Sequence, residues 1–131
     1  MMISLPITTL TALFAGVLIL LLTIRVIQLS RRGGVVLGDN NDRALMKAIR
    51  GHANAVEQMP IALIMMGLSE LQGGSTALLS VIAVVLIIGR TLHGAYFAFH
   101  GLHWRLRTNG MWMTVTAQAG LLLSLALTLA V

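Results

Sequence analysis

The sequence predicts an all-α integral membrane protein, a bundle of four transmembrane helices that forms one domain over residues 1–131. Of its 131 residues, 57% are hydrophobic and 10% are charged, whereas a soluble domain carries about 25% charged residues. The apolar residues are gathered in long blocks, and about 20 such residues suffice for a helix to cross a bilayer. The chain has room for roughly four of these helices and for no separate soluble domain.

The first two helices are predicted on either side of a loop at residues 33–41. The first span is predicted over residues 5–27, with Pro6 in its first turn, where a missing N–H costs nothing. Its start lacks the basic segment and the cleavage site of a secretory signal, so we interpret it as a retained span. Helix two is predicted over residues 42–71, with an asparagine or aspartate of residues 40–42 as its N-cap.

Spans three and four are predicted over residues 77–99 and 111–131, after connections at residues 72–76 and 100–110. The connection at 72–76 has no basic residue, whereas the other two connections and their flanks are rich in arginine. Positive charge in short loops marks the cytoplasmic side. Both termini are therefore expected outside the cytoplasm, and the polar ends of helices two and three inside. The basic residues behind the net charge of +5 lie where cytoplasmic loops carry them. Their positions therefore need no nucleic-acid partner, and none is expected.

The absence of cysteine limits the chemistry that the protein can perform. A chain without cysteine has no disulfide, no cysteine-ligated metal and no thiol nucleophile of its own. Any thiol chemistry must therefore use sulfur from a substrate. No pair of the four histidines has the i, i+4 spacing of a zinc-binding helix, and no metal site is predicted.

Arg50, Asn54 and Glu57 form the candidate site, three residues before Pro60. Their i, i+4, i+7 spacing places them on one face of helix two. Ionisable groups in a membrane helix are costly unless they are paired or lie in a polar cavity. Arg50 and Asn54 can donate hydrogen bonds to a carboxylate of a ligand, and Glu57 can accept them from an ammonium. This combination favours a zwitterionic, peptide-like ligand. The structural alternative pairs Glu57 with Arg90 of span three while Asn54 bonds the backbone.

Span three and the connection after it carry further candidates. Arg90 and His93 share a helical face, with Tyr96 beside it. The alternative for His93 is a hydrogen bond to a backbone carbonyl at a helix–helix contact. Arg105 and Arg107 are either topology signals or partners of a thiol, because a nearby guanidinium lowers a thiol pKa and favours the thiolate.

Arg25 ends the apolar part of the first span. Its charged head is expected to reach lipid phosphates, with a ligand carboxylate as the alternative.

At these residues the chain resembles the MAPEG family, membrane-associated proteins in eicosanoid and glutathione metabolism. The match rests on Arg50-x-x-x-Asn54-x-x-Glu57-x-x-Pro60, on RALMKAI upstream of it, and on GRTLHGAYFAFHGLHWRLRTNG. It covers nearly the whole chain and is to the small bacterial branch. The resemblance implies a homotrimer of four-helix bundles in the bacterial inner membrane. It also implies glutathione as co-substrate, bound between subunits near the cytoplasmic face.

The resemblance also implies roles for particular residues. Phe97 stands where relatives often carry tyrosine, so that hydroxyl is missing unless Tyr96 replaces it through a slight rotation of the helix. Either Arg105 or Arg107 corresponds to the thiol-activating arginine, and the variable loop length leaves both open. The residues expected to contact glutathione are Arg50, Asn54, Glu57, Arg90, His93 and Tyr96.

The function implied by the resemblance is that of a membrane-bound glutathione transferase or peroxidase. It would activate the thiol of glutathione toward lipophilic electrophiles or lipid hydroperoxides that arrive from the bilayer. The alternative is a non-catalytic protein of the same fold that binds a lipid or a thiol ligand, which the missing hydroxyl at Phe97 favours. A transport or proton-relay role for Glu57, Arg90 and His93 is disfavoured because the chain lacks a broken-helix repeat.

Overall fold

Four α-helices make up the computed structural model, which describes residues 4–130. They are α1 (Pro6–Gly33), α2 (Arg43–Leu71), α3 (Thr76–Ala98) and α4 (Arg105–Thr128), and residues 4–130 contain no β-strand. By length and apolar composition, α1, α3 and α4 can each cross a membrane. The helix α2 is not among these three, because the polar residues of its first half lower its mean hydropathy. The predicted all-α, four-helix membrane bundle is confirmed.

The first helix extends beyond the span predicted over residues 5–27, up to the glycines at which the loop is predicted to begin. It continues past residue 27 to Gly33, and Gly34 ends it in the left-handed conformation with φ 62°. Arg31 and Arg32 lie in its last turn, where the helix dipole favours positive charge. These two basic residues, which follow the predicted span, therefore stabilise the C-terminal end of the helix. As predicted, Pro6 occupies the first turn.

Asp42 is the N-cap of α2. Its Oδ1 accepts hydrogen bonds from the backbone N–H groups of Ala44 at 2.8 Å and Leu45 at 3.3 Å. Asn40 and Asn41 instead adopt positive φ angles, so they shape the turn before the cap.

The fourth helix begins at Arg105, six residues before the predicted start at residue 111. Leucine and arginine in the segment Arg105–Asn109 are good helix formers, and no glycine or proline interrupts that segment. Arg105 and Arg107 consequently lie on a helix and not in a loop. The helix ends at Thr128, and residue 131, the last of the predicted span, lies outside the described residues.

Close packing of α3 against α4 positions the site. A Cβ added at Gly110 would lie 2.7 Å from the His93 backbone nitrogen, and one added at Gly89 would lie 2.7 Å from the Met113 Cβ. The two glycines therefore let the backbones approach each other. The first turns of α4 are held beside His93 of α3. The apolar core, which includes Met59, Met66, Leu79, Leu86 and Leu121, lies further along the bundle.

Candidate functional site

A cavity of about 530 Å³ opens between α2, α3 and α4, and we call it the polar cavity. Its volume lies within the range of roughly 300–1,000 Å³ that is typical of small-molecule sites. It brings together the face of α2, a histidine of α3 and the first turns of α4. Its lining residues are Arg50, Ala53, Asn54, Glu57, His93, Phe97, Arg107, Thr108, Met111 and Trp112.

The α2 wall holds the predicted polar face. Arg50, Asn54 and Glu57 all line the cavity, as their spacing on one helical face predicts. Arg50 and Glu57 are exposed in the single protomer and Asn54 is half-buried. A Cβ on Gly51 would overlap the side chain of Phe97, so α2 and α3 touch here and close one side of the cavity.

Arg90 lies behind this wall and not in it. Its side chain is 0% exposed, and its Nη1 donates a hydrogen bond of 2.8 Å to Asn54 Oδ1. Within residues 4–130, its Nε and Nη2 atoms have no hydrogen-bond partner. Arg90 is therefore not paired with Glu57, contrary to the structural alternative, and it is no direct lining residue. It acts on the cavity through Asn54.

His93 and Phe97 form the α3 wall. His93 is only 2% exposed, and its ring lies 4.9 Å from that of Phe97, centroid to centroid. The Nδ1 atom of His93 has no hydrogen-bond partner among the described residues, so this nitrogen does not bond a backbone carbonyl.

Tyr96 lies outside the lining of the polar cavity. Its ring packs edge-on against Phe97 at 5.2 Å between centroids, and Lys47 Nζ lies 3.9 Å from its centre. The structure does not show the rotation of α3 that would bring the Tyr96 hydroxyl to the place of Phe97. The cavity wall therefore carries the phenyl ring, and the tyrosine is engaged by a lysine of α2.

The α4 wall separates the two arginines that sequence alone could not rank. Arg107 and Thr108 line the cavity, and the guanidinium carbon of Arg107 lies 5.7 Å from the centre of the Tyr96 ring. Arg105 is not among the lining residues, and its guanidinium carbon lies 5.9 Å from the centre of the Trp104 ring. Residues two apart on a helix point in nearly opposite directions. Of the two arginines of α4, the geometry therefore favours Arg107 as the one whose charge reaches the cavity.

Met111 and Trp112 complete the wall and were not predicted. They follow Arg107 and Thr108 by four residues, so they lie one turn along the same face of α4. The sequence shows this four-residue spacing, but the spacing predicts a shared face only if these residues are helical. The predicted helix began at residue 111 and so excluded Arg107 and Thr108. Trp112 is 67% exposed, so the cavity has an apolar rim on its outer side.

The side chains of the cavity carry charges of both signs. Arg50 and Arg107 supply two cations and Glu57 one carboxylate, with the amide of Asn54 between the α2 charges. Such a set can hold anionic and cationic groups of one ligand at the same time. Among residues 4–130, no cluster of three or more His, Asp or Glu side chains is placed to hold a metal ion.

The chain as a whole is similar to known membrane proteins. The sequence profile of the MAPEG family matches residues 8–127. The chain is 35% identical over 105 residues to the inner membrane protein YecN of Escherichia coli strain K12. The aligned residues make up 80% of this chain and 79% of that protein. The protein of the same name from Escherichia coli O6:H1 matches to the same extent. No solved structure gives a significant match.

Proposed function

The chain belongs to the MAPEG family, and on this premise we propose that it is a membrane-bound glutathione transferase or peroxidase. In this proposal glutathione binds in the polar cavity, and Arg107 stabilises its thiolate. The thiolate then reacts with a lipophilic electrophile or a lipid hydroperoxide from the bilayer. The similarity to an inner membrane protein, together with the apolar helices, supports a place in the inner membrane.

The charge pattern of the polar cavity is the observation that carries the proposal. Glutathione has two carboxylates, one ammonium and one thiol. The cavity offers two guanidinium groups, Arg50 and Arg107, and one carboxylate, Glu57. Asn54 adds a neutral donor, since its Oδ1 is occupied by Arg90 and its Nδ2 stays available. This inventory pairs each charged group of the tripeptide with an opposite charge or a donor.

Thiol activation is assigned to the α4 side of the cavity. The protein has no cysteine, so the reacting sulfur belongs to the ligand. A guanidinium beside a thiol lowers the thiol pKa because it stabilises the anion, and Arg107 is the α4 arginine that lines the cavity. With an electrophilic carbon, the thiolate sulfur would form an S–C bond and the leaving group would depart with its electron pair. With a lipid hydroperoxide, the sulfur would attack the outer oxygen and break the O–O bond, which releases the lipid alcohol. A second glutathione would then convert the resulting sulfenic acid to the disulfide and water.

The apolar rim supports a lipophilic second substrate. Met111 and Trp112 border the cavity on α4, and the exposed Trp112 faces away from the core of the protomer. A molecule dissolved in the bilayer would meet this rim before it met the charged wall. The rim therefore provides an apolar path to the sulfur.

The expected homotrimer fits the exposure of the charged residues. Arg50 and Glu57 are exposed in the single protomer although they belong to α2 of the helix bundle, and charges that face lipid are costly. None of the lining residues comes from α1. A neighbouring subunit placed over the open side would shield these charges and complete the ligand site.

A thiolate measurement with two single variants tests the mechanism. Bound glutathione thiolate absorbs in the ultraviolet, so its formation is followed by stopped-flow mixing with purified protein. We expect Arg107→Ala to reduce the thiolate fraction by about tenfold or more, because it removes the cation that the proposal places beside the sulfur. Arg105→Ala removes the same charge two residues earlier and is the matched control, with an unchanged signal expected.

Two results would reject the mechanism. One is the absence of any glutathione-dependent thiolate signal in the wild-type protein. The other is an equal loss in both arginine variants, which would indicate a general effect of positive charge at the start of α4.

Phe97 supports a second candidate function, that of a non-catalytic binding protein. This phenyl ring lies in the α3 wall and Tyr96 is not among the lining residues, so α3 contributes no phenolic hydroxyl to the lining of the cavity. In this case glutathione would raise the thermal stability of the protein, because it binds the native state, without thiolate formation or turnover. The thiolate measurement and a thermal shift together distinguish the two functions.

A further inference from the structure

A second cavity of about 420 Å³ lies between α1 and α3, and we call it the α1–α3 groove. It shares no lining residue with the polar cavity. Most of its lining is apolar. Arg25 is its charged residue, and Gln28 contributes an amide. The side chains that the argument uses are Phe14, Leu18 and Ile24 of α1 and Gly94, Ala95 and Ala98 of α3.

The groove exists because small residues of α3 face large ones of α1. A Cβ added at Gly94 would lie 3.1 Å from Leu18 Cδ1, so the helices come into contact at this point. Ala95 and Ala98 beside it are too short to fill the space that the larger α1 side chains leave. The result is a concave, apolar channel between α1 and α3 at the surface of the protomer.

The depth of the groove in the bilayer follows from α1. Arg25 is the first charged residue of this helix, and the stretch from Pro6 to Ile24 is about 28 Å long at roughly 1.5 Å per residue. This length nearly equals a hydrocarbon core of about 30 Å. Arg25 therefore lies at the boundary between acyl chains and headgroups. From Phe14 to Ile24 the groove runs about 15 Å along the helix, which is the depth of one leaflet.

Arg25 is oriented by the end of α3. Its Nε donates a hydrogen bond of 3.1 Å to the Ala98 carbonyl, one of the last carbonyls of the helix, which have no partner within it. The terminal Nη1 and Nη2 groups make no hydrogen bond within residues 4–130 and are not fully buried. A guanidinium held in this way presents a two-pronged donor that matches a phosphate.

A second cation lies at the same end of α3. Lys47 Nζ donates to the Phe99 carbonyl at 3.1 Å, one residue after the carbonyl that Arg25 binds. The headgroup end of the groove thus has a fixed guanidinium and the amide of Gln28 in its lining, and Lys47 adds a positive charge outside the lining. No carboxylate lines the groove. This charge favours an anionic occupant, and basic pockets between membrane helices are known sites for anionic lipid headgroups.

We propose that the α1–α3 groove is a binding site for one anionic phospholipid. One acyl chain lies along the apolar channel, and the phosphate is bound by the free nitrogens of Arg25 with help from Gln28. The site is separate from the polar cavity, so the proposal does not depend on glutathione chemistry. It assigns to Arg25 a defined ligand, beyond the general attraction of basic residues to headgroups.

Native mass spectrometry of the purified protein tests the site. The probes are phosphatidylglycerol and phosphatidylcholine with identical acyl chains. We expect the wild-type protein to retain phosphatidylglycerol preferentially, and Arg25→Gln to lose about tenfold or more in affinity for it, because a charge-assisted hydrogen-bonded pair is removed. Arg25→Lys keeps the charge without the fork and should retain part of the preference. Arg31→Gln, an exposed arginine outside the groove, is the matched control and should bind like the wild type.

A groove-filling variant tests the acyl channel independently. Ala95→Phe places a ring in the channel and should lower lipid occupancy, whereas Val84→Phe, at an exposed position of the same helix outside the groove, should not. Equal binding of the two lipids by the wild-type protein would overturn the proposal. So would equal losses in Arg25→Gln and Arg31→Gln, or an Ala95→Phe variant that changes the oligomeric mass but not the lipid occupancy. The last result would mean that a second copy of the chain covers the groove.

Discussion

Arg90 and Asn54 form the contact on which the polar wall of the cavity depends. A guanidinium without exposure to solvent is costly to bury unless it is hydrogen-bonded, and the bond that Arg90 makes goes to Asn54 Oδ1. Because arginine has no acceptor, the amide oxygen must face it and the amide Nδ2 must face the opposite side. Arg90 is thus a positioning residue, which fixes the orientation of the Asn54 amide in the wall of the polar cavity.

Exchange of Asn54 for aspartate separates this role from folding. Asn54→Asp keeps an oxygen at Arg90 and adds a compensating charge, so we expect the protein to fold with thermal stability equal to or above that of the wild type. It removes the Nδ2 donor and places a negative charge on the cavity, so we expect glutathione affinity to fall by about tenfold or more. Calorimetric titration and thermal unfolding measure the two effects.

Asn109→Asp is the control for this substitution. It makes the same change at an exposed position of α4 outside the cavity lining and should leave the affinity near the wild-type value. An Asn54→Asp variant with unchanged glutathione affinity would contradict the positioning role of Arg90.

Among the helices, α1 depends on α2 for its N-terminal cap. Its N-cap residue, Leu5, makes no side-chain cap hydrogen bond. The carboxylate of Glu70 takes that place: it accepts from the Ile7 N–H at 3.0 Å, the Thr8 N–H at 2.9 Å and the Thr8 hydroxyl at 2.6 Å. The negative charge also lies where the helix dipole favours it. The last turn of α2 and the first turn of α1 are therefore joined at one side of the membrane.

Loss of this carboxylate should weaken the bundle measurably. In Glu70→Gln one acceptor oxygen becomes an NH₂ group that faces backbone donors, so we expect the free energy of unfolding to fall by about 1–2 kcal/mol. Denaturant titration in a fixed detergent measures the difference. Glu57→Gln is the same change on the same helix at an exposed carboxylate and should be near neutral without ligand. Equal stability of both variants would show that Glu70 does not hold the two helices together.

The whole molecule has unlike polar groups at its two ends. The polar cavity, Arg25, Lys47 and the first turns of α4 lie toward one end of the helices, and the Glu70 cap and the connection at Gln72 lie toward the other. Because basic residues are retained on the cytoplasmic side, we expect the cavity to open to the cytoplasm and residue 72 to face the other compartment.

Single-cysteine labelling tests this orientation, since the natural chain has no cysteine to interfere. In spheroplasts a membrane-impermeant maleimide should label the Gln72→Cys variant directly. The His100→Cys variant, in the connection between α3 and α4, should be labelled only after lysis. Labelling in the reverse order would invert the topology and place the cavity on the opposite face.

Local pattern alone was sufficient for much of this protein. Hydropathy predicted a four-helix membrane bundle, and the i, i+4, i+7 spacing of Arg50, Asn54 and Glu57 predicted a shared polar face. Both properties depend on residues close together in the chain, for which helical periodicity is a reliable guide. The same residues carried the family resemblance that the comparisons confirm.

Only the tertiary structure decided which neighbouring side chains reach the cavity. It placed Arg107 in the wall and Arg105 outside it, Phe97 in the wall and Tyr96 outside it, and Arg90 behind Asn54. Each outcome depends on the start of α4 and on the rotation of α3 and α4 about their axes. The close approach at Gly89 and Gly110 constrains that rotation. Residues so far apart in sequence leave no periodic signal of their contact, so their packing had to be observed.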